Sequence, residues 1–326
     1  MDSSRTERPV AAWIDRERRG DAAVPALTLI LKSGGCGWNR CLMCGYRHFR
    51  YPRDEALPGL VRAQLGWVRE RFPPGDYELV KIYTSGSFLD PAELPAGPRE
   101  EVLAAFRGKA VIVETRPEHV TAGAIGDCLA ALDTGSGTVS FSVAIGLETS
   151  DDGIREKCVN KGFSFADFAR ASRTARQAGA GVKAYLLQKP PYLTEREAVE
   201  DVVRSVRDTL PHADAISLNP CTVQKGTEVE RLWRLGAYRP PYLWSVLLAL
   251  SRAGVTVTCD PVGGGTPRGP HNCRSCDEEL VKGIRDYNLT GDRSLVGALL
   301  ELECPCKKEW EFVLGAERPW AMPLTR

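Results

Sequence analysis

The chain has 326 residues, of which 43% are hydrophobic and 26% charged, and its formal net charge is +1. This is the balance of a globular protein with a large core, and the length suits a barrel-sized domain plus a smaller appendage. A charge so close to neutral excludes a protein that binds nucleic acid through its overall charge, so any RNA contact has to be local. The sequence has no apolar run of the roughly 18 residues that cross a bilayer, and its start lacks the apolar core of a signal peptide. We therefore expect a cytoplasmic protein with no membrane partner.

Short apolar runs alternate with amphipathic segments along the chain, which is typical of βα units around a parallel sheet. The predicted strands are residues 27–31, 79–83, 110–113, 138–144, 182–187, 215–218 and 255–258. The predicted helices are residues 60–72, 100–106, 120–132, 165–178, 198–210 and 243–253. About six repeats are too few for a closed barrel of eight. The sequence therefore predicts an α/β fold, a partial (β/α)6 TIM-like barrel.

A change of composition divides the chain. The Gly- and Pro-rich stretch Pro261–Pro270 separates the predicted barrel from a tail rich in cysteine and charge. We expect an N-terminal extension over 1–22, the barrel over 23–260 and a small cysteine-rich, metal-binding C-terminal module over 261–326.

Eleven cysteines are many for a reducing compartment, where clustered thiols indicate metal ligands or redox groups rather than disulfides. Two clusters stand out. One is Cys36-x4-Cys41-x2-Cys44, and the other joins Cys273-x2-Cys276 to Cys304-x-Cys306. The remaining four are predicted to be small core residues: Cys128, Cys158, Cys221 and Cys259.

The first cluster directly follows the first predicted strand, at the end of a βα barrel where active sites form. Three thiolates are one short of a full ligand set for a cubane iron–sulfur cluster, and the open iron is able to chelate a substrate. The alternative is a zinc knuckle with a fourth ligand such as His48. The spacing alone leaves both open.

The second cluster offers four soft ligands in two knuckles, which is typical of a closed structural zinc site. His271 is a candidate to replace one cysteine. A second iron–sulfur cluster and a set of unrelated buried thiols are the alternatives.

Polar residues follow the predicted strands at the ends that form the mouth of the barrel. Burying charge there needs partners, so such residues are more often functional than structural. They are Ser85, Gly86, Ser87, Glu114, Arg116, Glu148, Arg155, Gln188 and Asn219. For Ser85–Ser87 the alternative is a simple turn, and for Arg155 it is an exposed helical arginine.

The segment from Tyr46 to Arg53 interleaves basic and aromatic residues beside the first cysteine cluster. Such a mixture pairs with phosphates and stacks on extruded bases. The alternative is that these rings only cover the cluster. A second, weaker candidate for RNA contact is the pair Arg318 and Trp320.

The cysteine loop resembles that of the radical S-adenosylmethionine superfamily, which usually has C-x3-C-x2-C after strand one of a partial barrel. Here the first gap has four residues, and Met43 stands where an aromatic residue is usual. The run from Glu114 to Glu118 (Glu-Thr-Arg-Pro-Glu) resembles the Elongator catalytic-subunit-like branch. Together with Asn219-Pro220 and the run from Asp260 to Cys273, these features make residues 27–310 similar to the RaSEA family of archaeosine biosynthesis.

The resemblance implies a [4Fe–4S] cluster on Cys36, Cys41 and Cys44 and S-adenosylmethionine as cofactor. The strand-end residues named above are then its candidate ligands, with Gln188 and Asn219 shared between cofactor and substrate. It further implies a lyase that acts on tRNA after a lysine-transferring subunit, ArcS, and that takes electrons from an unknown donor. The catalytic residue stays unknown. Two rivals are another radical enzyme of the Elongator-like branch and a non-enzymatic, zinc-containing RNA-binding subunit.

Overall fold

The computed structural model describes residues 7–318 except 52, 54 and 136, and leaves out the side chain of Arg47. Pro52 and Trp320, both in the predicted RNA contacts, lie outside the described residues. The centre of the molecule is an eight-stranded sheet with its strands in chain order. They are β1 (Ala11–Arg19), β2 (Ala22–Ile30), β3 (Leu79–Tyr83), β4 (Ala110–Thr115), β5 (Phe141–Glu148), β6 (Gly181–Gln188), β7 (Ala215–Pro220) and β8 (Thr258–Cys259). β1 is antiparallel to β2, and every later pair of neighbours is parallel.

Helices connect the parallel strands and continue after the sheet. They are α1 (Leu57–Arg71), α2 (Ala96–Ala104), α3 (Ala122–Leu132), α4 (Asp152–Ile154), α5 (Phe165–Gln177), α6 (Glu195–Thr209), α7 (Glu228–Arg234), α8 (Leu243–Arg252), α9 (Asp277–Thr290), α10 (Arg293–Glu301) and α11 (Cys306–Ala316). α4 runs on as a π-helical turn, Arg155–Val159. Capping boxes that start at Ser164 and Thr194 fix where α5 and α6 begin. Within the described residues, no helix combines the length and apolar character needed to cross a membrane.

The sheet curls into a half-barrel, which confirms the predicted α/β partial barrel. Its outer face packs on the helices, where residues such as Leu29, Ile82 and Val143 are fully buried. Its inner face carries charge instead, because Glu17 on β1 lies 3.3 Å from Lys183 on β6, across the barrel. Such buried ion pairs are weak evidence of net stabilisation, because the cost of desolvating the charges offsets much of their attraction.

One strand was not predicted, and several of the others have different bounds; β4, for example, ends at Thr115 and not at 113. β1 was not predicted, because its polar residues Asp15 and Glu17 alternate with exposed arginines and read as a solvated segment. β5 ends at Glu148 and not at 144, and the predicted strand 255–258 pairs only at Thr258–Cys259. The longer strands place Glu114 and Glu148 inside the sheet, where the sequence predicted them just after it.

The C-terminal helices pack on the same core as the barrel. Leu280, Ile284 and Tyr287 of α9 and Trp310 of α11 are buried in it. The predicted divisions at residues 22 and 260 stay predictions. The four scattered cysteines are buried, as the sequence predicted.

Candidate active site and metal centre

The parallel strands bring the predicted site residues to one edge of the sheet. The cysteine loop follows β2 and the Ser85–Ser87 turn follows β3, while Arg116 comes directly after β4. The last residues of β5 and β6 are Glu148 and Gln188, and Asn219 lies in β7. Since the carboxyl ends of parallel strands meet at one mouth, these residues surround a common space.

The cysteine loop is held by hydrogen bonds to three other parts of the chain, two of them between backbone groups and two with a side chain on one side. The donors and acceptors are Gly34 N–H to Glu93 O (3.0 Å), Leu42 N–H to Val159 O (2.9 Å), Trp38 Nε1 to Asn160 O (2.7 Å) and Gly45 N–H to Gln224 Oε1 (2.6 Å). A loop fixed at so many points keeps its thiols in place without a ligand. That preorganisation is what a metal or cluster site needs.

A buried carboxylate joins this loop to the turn after β3. Glu93 Oε1 accepts from Ser33 Oγ and Oε2 accepts from the Ser87 N–H, each at 2.6 Å. Burial raises the pKa of Glu93, although these hydrogen bonds oppose the shift. The sequence analysis missed Glu93, because a lone acidic residue in a loop carries no pattern.

Gly86 lets the turn approach the cysteine loop. A Cβ built there would lie 2.5 Å from both Cα and Cβ of Cys36 and 2.6 Å from Glu93 Oε2. Real Cβ atoms do not come this close to backbone, so only glycine fits. The reading of Ser85–Ser87 as a simple turn therefore omits a contact that reaches the first cysteine.

The three thiols of the loop are half-buried. Burial raises the pKa of Cys44 to about 11 and also raises that of Cys41, against the nearby charge of Lys161. In the part of the chain that the structure describes, these sulfurs do not form a set of ligand atoms within 4.8 Å of one another, with or without His48. Thiolates on one zinc ion stand about 3.8 Å apart, from a bond length of about 2.3 Å. The three thiols of the loop therefore do not have the close spacing of a closed zinc set in the described structure.

Two carboxylates and one ammonium lie beside the thiols. Lys161 Nζ is 2.6 Å from Glu148 Oε1, and Glu148 takes a left-handed backbone conformation with φ of +69°. Burial raises the pKa of Glu114 to about 7, with Lys161 opposing the shift and Glu148 adding to it. Lys161 is therefore the cation shared by two acidic side chains, Glu148 and Glu114. Their carboxyl oxygens retain lone pairs that can accept further hydrogen bonds. The sequence analysis missed Lys161, which follows the π-helical turn in a loop.

The two arginines differ in their surroundings. Arg116 stacks over the rings of Trp38 and Phe163, each 5.3 Å from its guanidinium carbon, and donates to Lys161 O at 2.9 Å. Arg155 is 1% exposed and donates to Thr149 O, Phe163 O and the Asp152 carboxylate. The reading of Arg155 as an exposed helical arginine is therefore wrong. A direct role for either in cofactor binding stays a prediction.

Gln188 is fully buried, and neither its amide oxygen nor its amide nitrogen has a hydrogen-bond partner among the described residues. An unpaired buried amide costs free energy, about 1–3 kcal/mol for each unsatisfied group. A polar ligand at the mouth is one way to satisfy it. Asn219 is half-buried on the neighbouring strand.

The four sulfurs of the second cysteine cluster form one compact group, in which all lie within 4.8 Å of one another. The Sγ–Sγ distances are 3.9 Å for Cys273–Cys276, 3.5 Å for Cys273–Cys304, 3.7 Å for Cys276–Cys306 and 3.4 Å for Cys304–Cys306. These agree with the edge of about 3.8 Å expected for four thiolates on one zinc ion. His271 is not part of this set, and its Nδ1 lies 2.8 Å from Gly269 O.

Two donors lie around these sulfurs. Trp244 Nε1 donates to Cys306 Sγ and Asn272 Nδ2 donates to Cys276 Sγ, each at 3.4 Å. Hydrogen bonds of this kind orient metal ligands and spread the charge of a tetrathiolate. The donor set and its spacing fit zinc.

The basic and aromatic segment after the cysteine loop is partly engaged in structure. Arg53 donates to Gly34 O and Gly35 O, so it braces the loop. Burial raises the pKa of Tyr46 to about 12, whereas Phe49 is 48% exposed. Of these side chains, Phe49 offers an accessible ring.

No family model matches the chain. The archaeal Elp3 structure from Methanocaldococcus infernus aligns with a TM-score of 0.50 and 18% identity, over 71% of this chain and 58% of that chain. This likeness shows that the two chains share the partial-barrel fold, and in this chain the three-cysteine loop lies at the mouth of that barrel. Archaeosine synthase subunit beta of Methanosarcina acetivorans is 41% identical over 96% of this chain and 92% of its own length. The archaeosine synthase subunit beta of Thermococcus kodakarensis is 35% identical over 93% of this chain and 95% of its own length. The chain belongs to the archaeosine synthase subunit beta family, which confirms the resemblance in the sequence.

Proposed function

We propose that this protein is a radical S-adenosylmethionine lyase of tRNA modification. It cleaves the lysine carbon–nitrogen bond of a lysine-adducted 7-deazaguanine in tRNA and leaves archaeosine. The observation that carries the proposal is near-full-length similarity to proteins named as archaeosine synthase subunit beta, combined with the three-thiol loop at the mouth of the barrel. The word subunit in those names supports a partner, which we propose is the lysine-transferring subunit ArcS.

Cys36, Cys41 and Cys44 hold a [4Fe–4S] cluster in this proposal, with one iron left for the cofactor. When bound, the cluster and S-adenosylmethionine supply a 5′-deoxyadenosyl radical that takes a hydrogen atom from the lysine side chain. The chain positions the reactants and keeps water away from them. An external donor supplies the electron.

In this proposal, the residues at the mouth of the barrel have different roles in binding the cofactor and the substrate. Gly86 keeps the turn against Cys36 and leaves its backbone groups close to the cluster. Glu148, oriented by Lys161, accepts hydrogen bonds from the cofactor's amine or ribose. The side-chain amide of Gln188, which has no partner among the described residues, forms hydrogen bonds with the cofactor or the substrate.

The second cluster holds structural zinc in this proposal. Cys276 lies at the start of α9 and Cys306 begins α11, so one ion ties both helices to Trp244 of α8. Binding energy at such a site is folding energy for the segments it joins.

The test is anaerobic reconstitution with iron and sulfide, followed by metal analysis and an assay for 5′-deoxyadenosine and archaeosine. We expect about four irons per chain and one zinc, and archaeosine only when the tRNA carries the lysine adduct. Cys41→Ala should lose the iron and keep the zinc, while Cys128→Ala in α3 should keep both. Absence of iron and of cofactor cleavage would favour the zinc-containing RNA-binding subunit. Cofactor cleavage without archaeosine would favour another radical enzyme of the Elongator-like branch.

A further inference from the structure

The half-barrel has an opening on its side. β1 and β8 are the two edges of the sheet and do not pair with each other. The curl brings these edges together, because Glu17 on β1 reaches Lys183 on β6. We call the space between the edges the lateral gap and define it by Trp13 and Asp15 of β1 and by Asp260, the residue directly after β8.

Helix α9 covers one end of the lateral gap. At that end, Tyr287 Oη donates to Val257 O at 2.8 Å and Gly291 packs against the side chain of Arg18. Because β1 is antiparallel to β2, Trp13 lies toward the opposite end, near the carboxyl end of β2. The cysteine loop starts from that same end, so this end of the lateral gap adjoins the mouth of the barrel.

The charges that face the gap do not balance. Lys81 is paired with Glu17 and lies 3.9 Å from Asp15, and Lys183 shares Glu17. The two positive charges of these lysines cancel the two negative charges of Asp15 and Glu17, and Asp260 adds one further negative charge. Its carboxylate interacts electrostatically with all four, yet it has no ion pair or hydrogen bond with any described side chain. Asp260 is accessible to solvent, although the groups packed around its carboxyl desolvate it and raise its pKa. The lateral gap therefore presents an acidic group without an ion-pair partner among the described side chains.

Two further groups at the gap have unused binding capacity. Thr28 is 2% exposed and its hydroxyl has no hydrogen-bond partner in the described residues. The strand register sets Thr28 between Trp13 and Lys81, on the inner face. Trp13 is 42% exposed, and its Nε1 donates to Asp15 at 3.1 Å, which fixes the indole at the rim.

A primary ammonium matches this set of groups. It carries three donors and no acceptor, so it suits a carboxylate and a hydroxyl, and it is attracted to the face of an indole. A ligand whose only charged group is a carboxylate does not match, because Lys81 and Lys183 already have acidic partners in Asp15 and Glu17. The net charge of −1 also favours a cation.

We propose that the lateral gap is a subsite for a primary ammonium group, with Asp260 as the ion-pair partner and Trp13 as the aromatic wall. The proposal rests on the proposed function. Lysine has two amines, and when one of them links it to the base, the other remains as a free ammonium. The lateral gap then distinguishes lysine-adducted tRNA from tRNA without lysine, at a distance from the bond that breaks.

The test compares two tRNAs that differ only at that amine. Lysine-adducted tRNA and the same tRNA acetylated on its free amine are titrated against wild type, Asp260→Asn and the exposed α3 variant Asp127→Asn. We expect wild type and Asp127→Asn to bind the acetylated tRNA about tenfold more weakly. Asp260→Asn should bind both tRNAs with similar affinity, near that of wild type for the acetylated one.

The proposal is overturned if wild type does not distinguish the two tRNAs, or if Asp260→Asn distinguishes them as wild type does. Trp13→Ala is a second variant with the same expected loss, and circular dichroism shows that each variant is folded. The assay is independent of the radical reaction. Failure to form archaeosine with intact discrimination would reject the proposed function, and archaeosine formation without discrimination would reject the subsite alone.

Discussion

Gly86→Ala tests whether the turn after β3 has to touch the cysteine loop. The added Cβ would lie 2.5 Å from Cα and Cβ of Cys36 and 2.6 Å from Glu93 Oε2. Carbon atoms at rest stand about 3.5–4.0 Å apart, so the overlap is about 1 Å on each side. The contacts on Cys36 are not to the end of a flexible side chain, so the loop itself has to move. Overpacking of this kind costs about 1–3 kcal/mol.

A shift of about 1 Å in Cys36 also displaces one of the three proposed cluster ligands, and an error of that size lowers activity about a hundredfold. We expect Gly86→Ala to lose free energy of unfolding in urea and to load less iron on reconstitution. Gly126→Ala is the matched control, because a Cβ there meets nothing within 4 Å in the middle of α3. It should gain about 1 kcal/mol from helix propensity. Normal iron loading and unchanged stability of Gly86→Ala would refute the reasoning.

Three further variants test other contacts. Glu17→Gln should cost about 3 kcal/mol, because it removes the ion-pair partner of Lys183 and leaves Lys81 with only the more distant Asp15. Burial raises the pKa of Glu17, but the two lysines lower it below 4.5, so wild type should lose stability as the pH falls through that lowered pKa. Urea unfolding at pH 7 and pH 4 should show a smaller acid loss in Glu17→Gln, and an equal loss would contradict this. Lys161→Met should raise the pKa of Glu114 above about 7, since Lys161 is the group that lowers it; a carbon-13 titration measures this, and an unchanged value would count against the contact. Cys276→Ser or a zinc chelator should speed hydrogen exchange in α9 and α11 without affecting iron, whereas unchanged exchange would argue against a structural ion.

Much of the fold follows from local pattern. The strand and helix alternation along residues 27–253 depends on apolar periodicity, and the cysteine clusters depend on spacing, both of which can be read from the chain. β1 was not predicted, because its inward-facing side chains are acidic and contact lysines instead of an apolar core. Asp15 and Glu17 are stabilised by lysines that lie on β3 and β6, and no local window contains both partners.

The site shows the same limit. Spacing predicts which cysteines cluster, and strand ends predict where polar residues gather. Neither predicts Glu93 or Lys161, which act through contacts that the fold creates between loops. His271 illustrates the opposite error, since it is adjacent to the second cluster in sequence but is not in the set of four sulfurs.

The ion pair between Glu17 and Lys183 joins residues 166 positions apart. During synthesis β1 leaves the ribosome first, but more than half of the chain has to follow before the strand finds its second lysine. Contacts of such long range form late and slow the folding of the domains that depend on them. Until then, β1 is a hairpin arm with β2, and its two acidic side chains have Lys81 as their shared basic partner. We expect this arm to be protected from hydrogen exchange only in the last phase of refolding, when the two edges of the half-barrel meet.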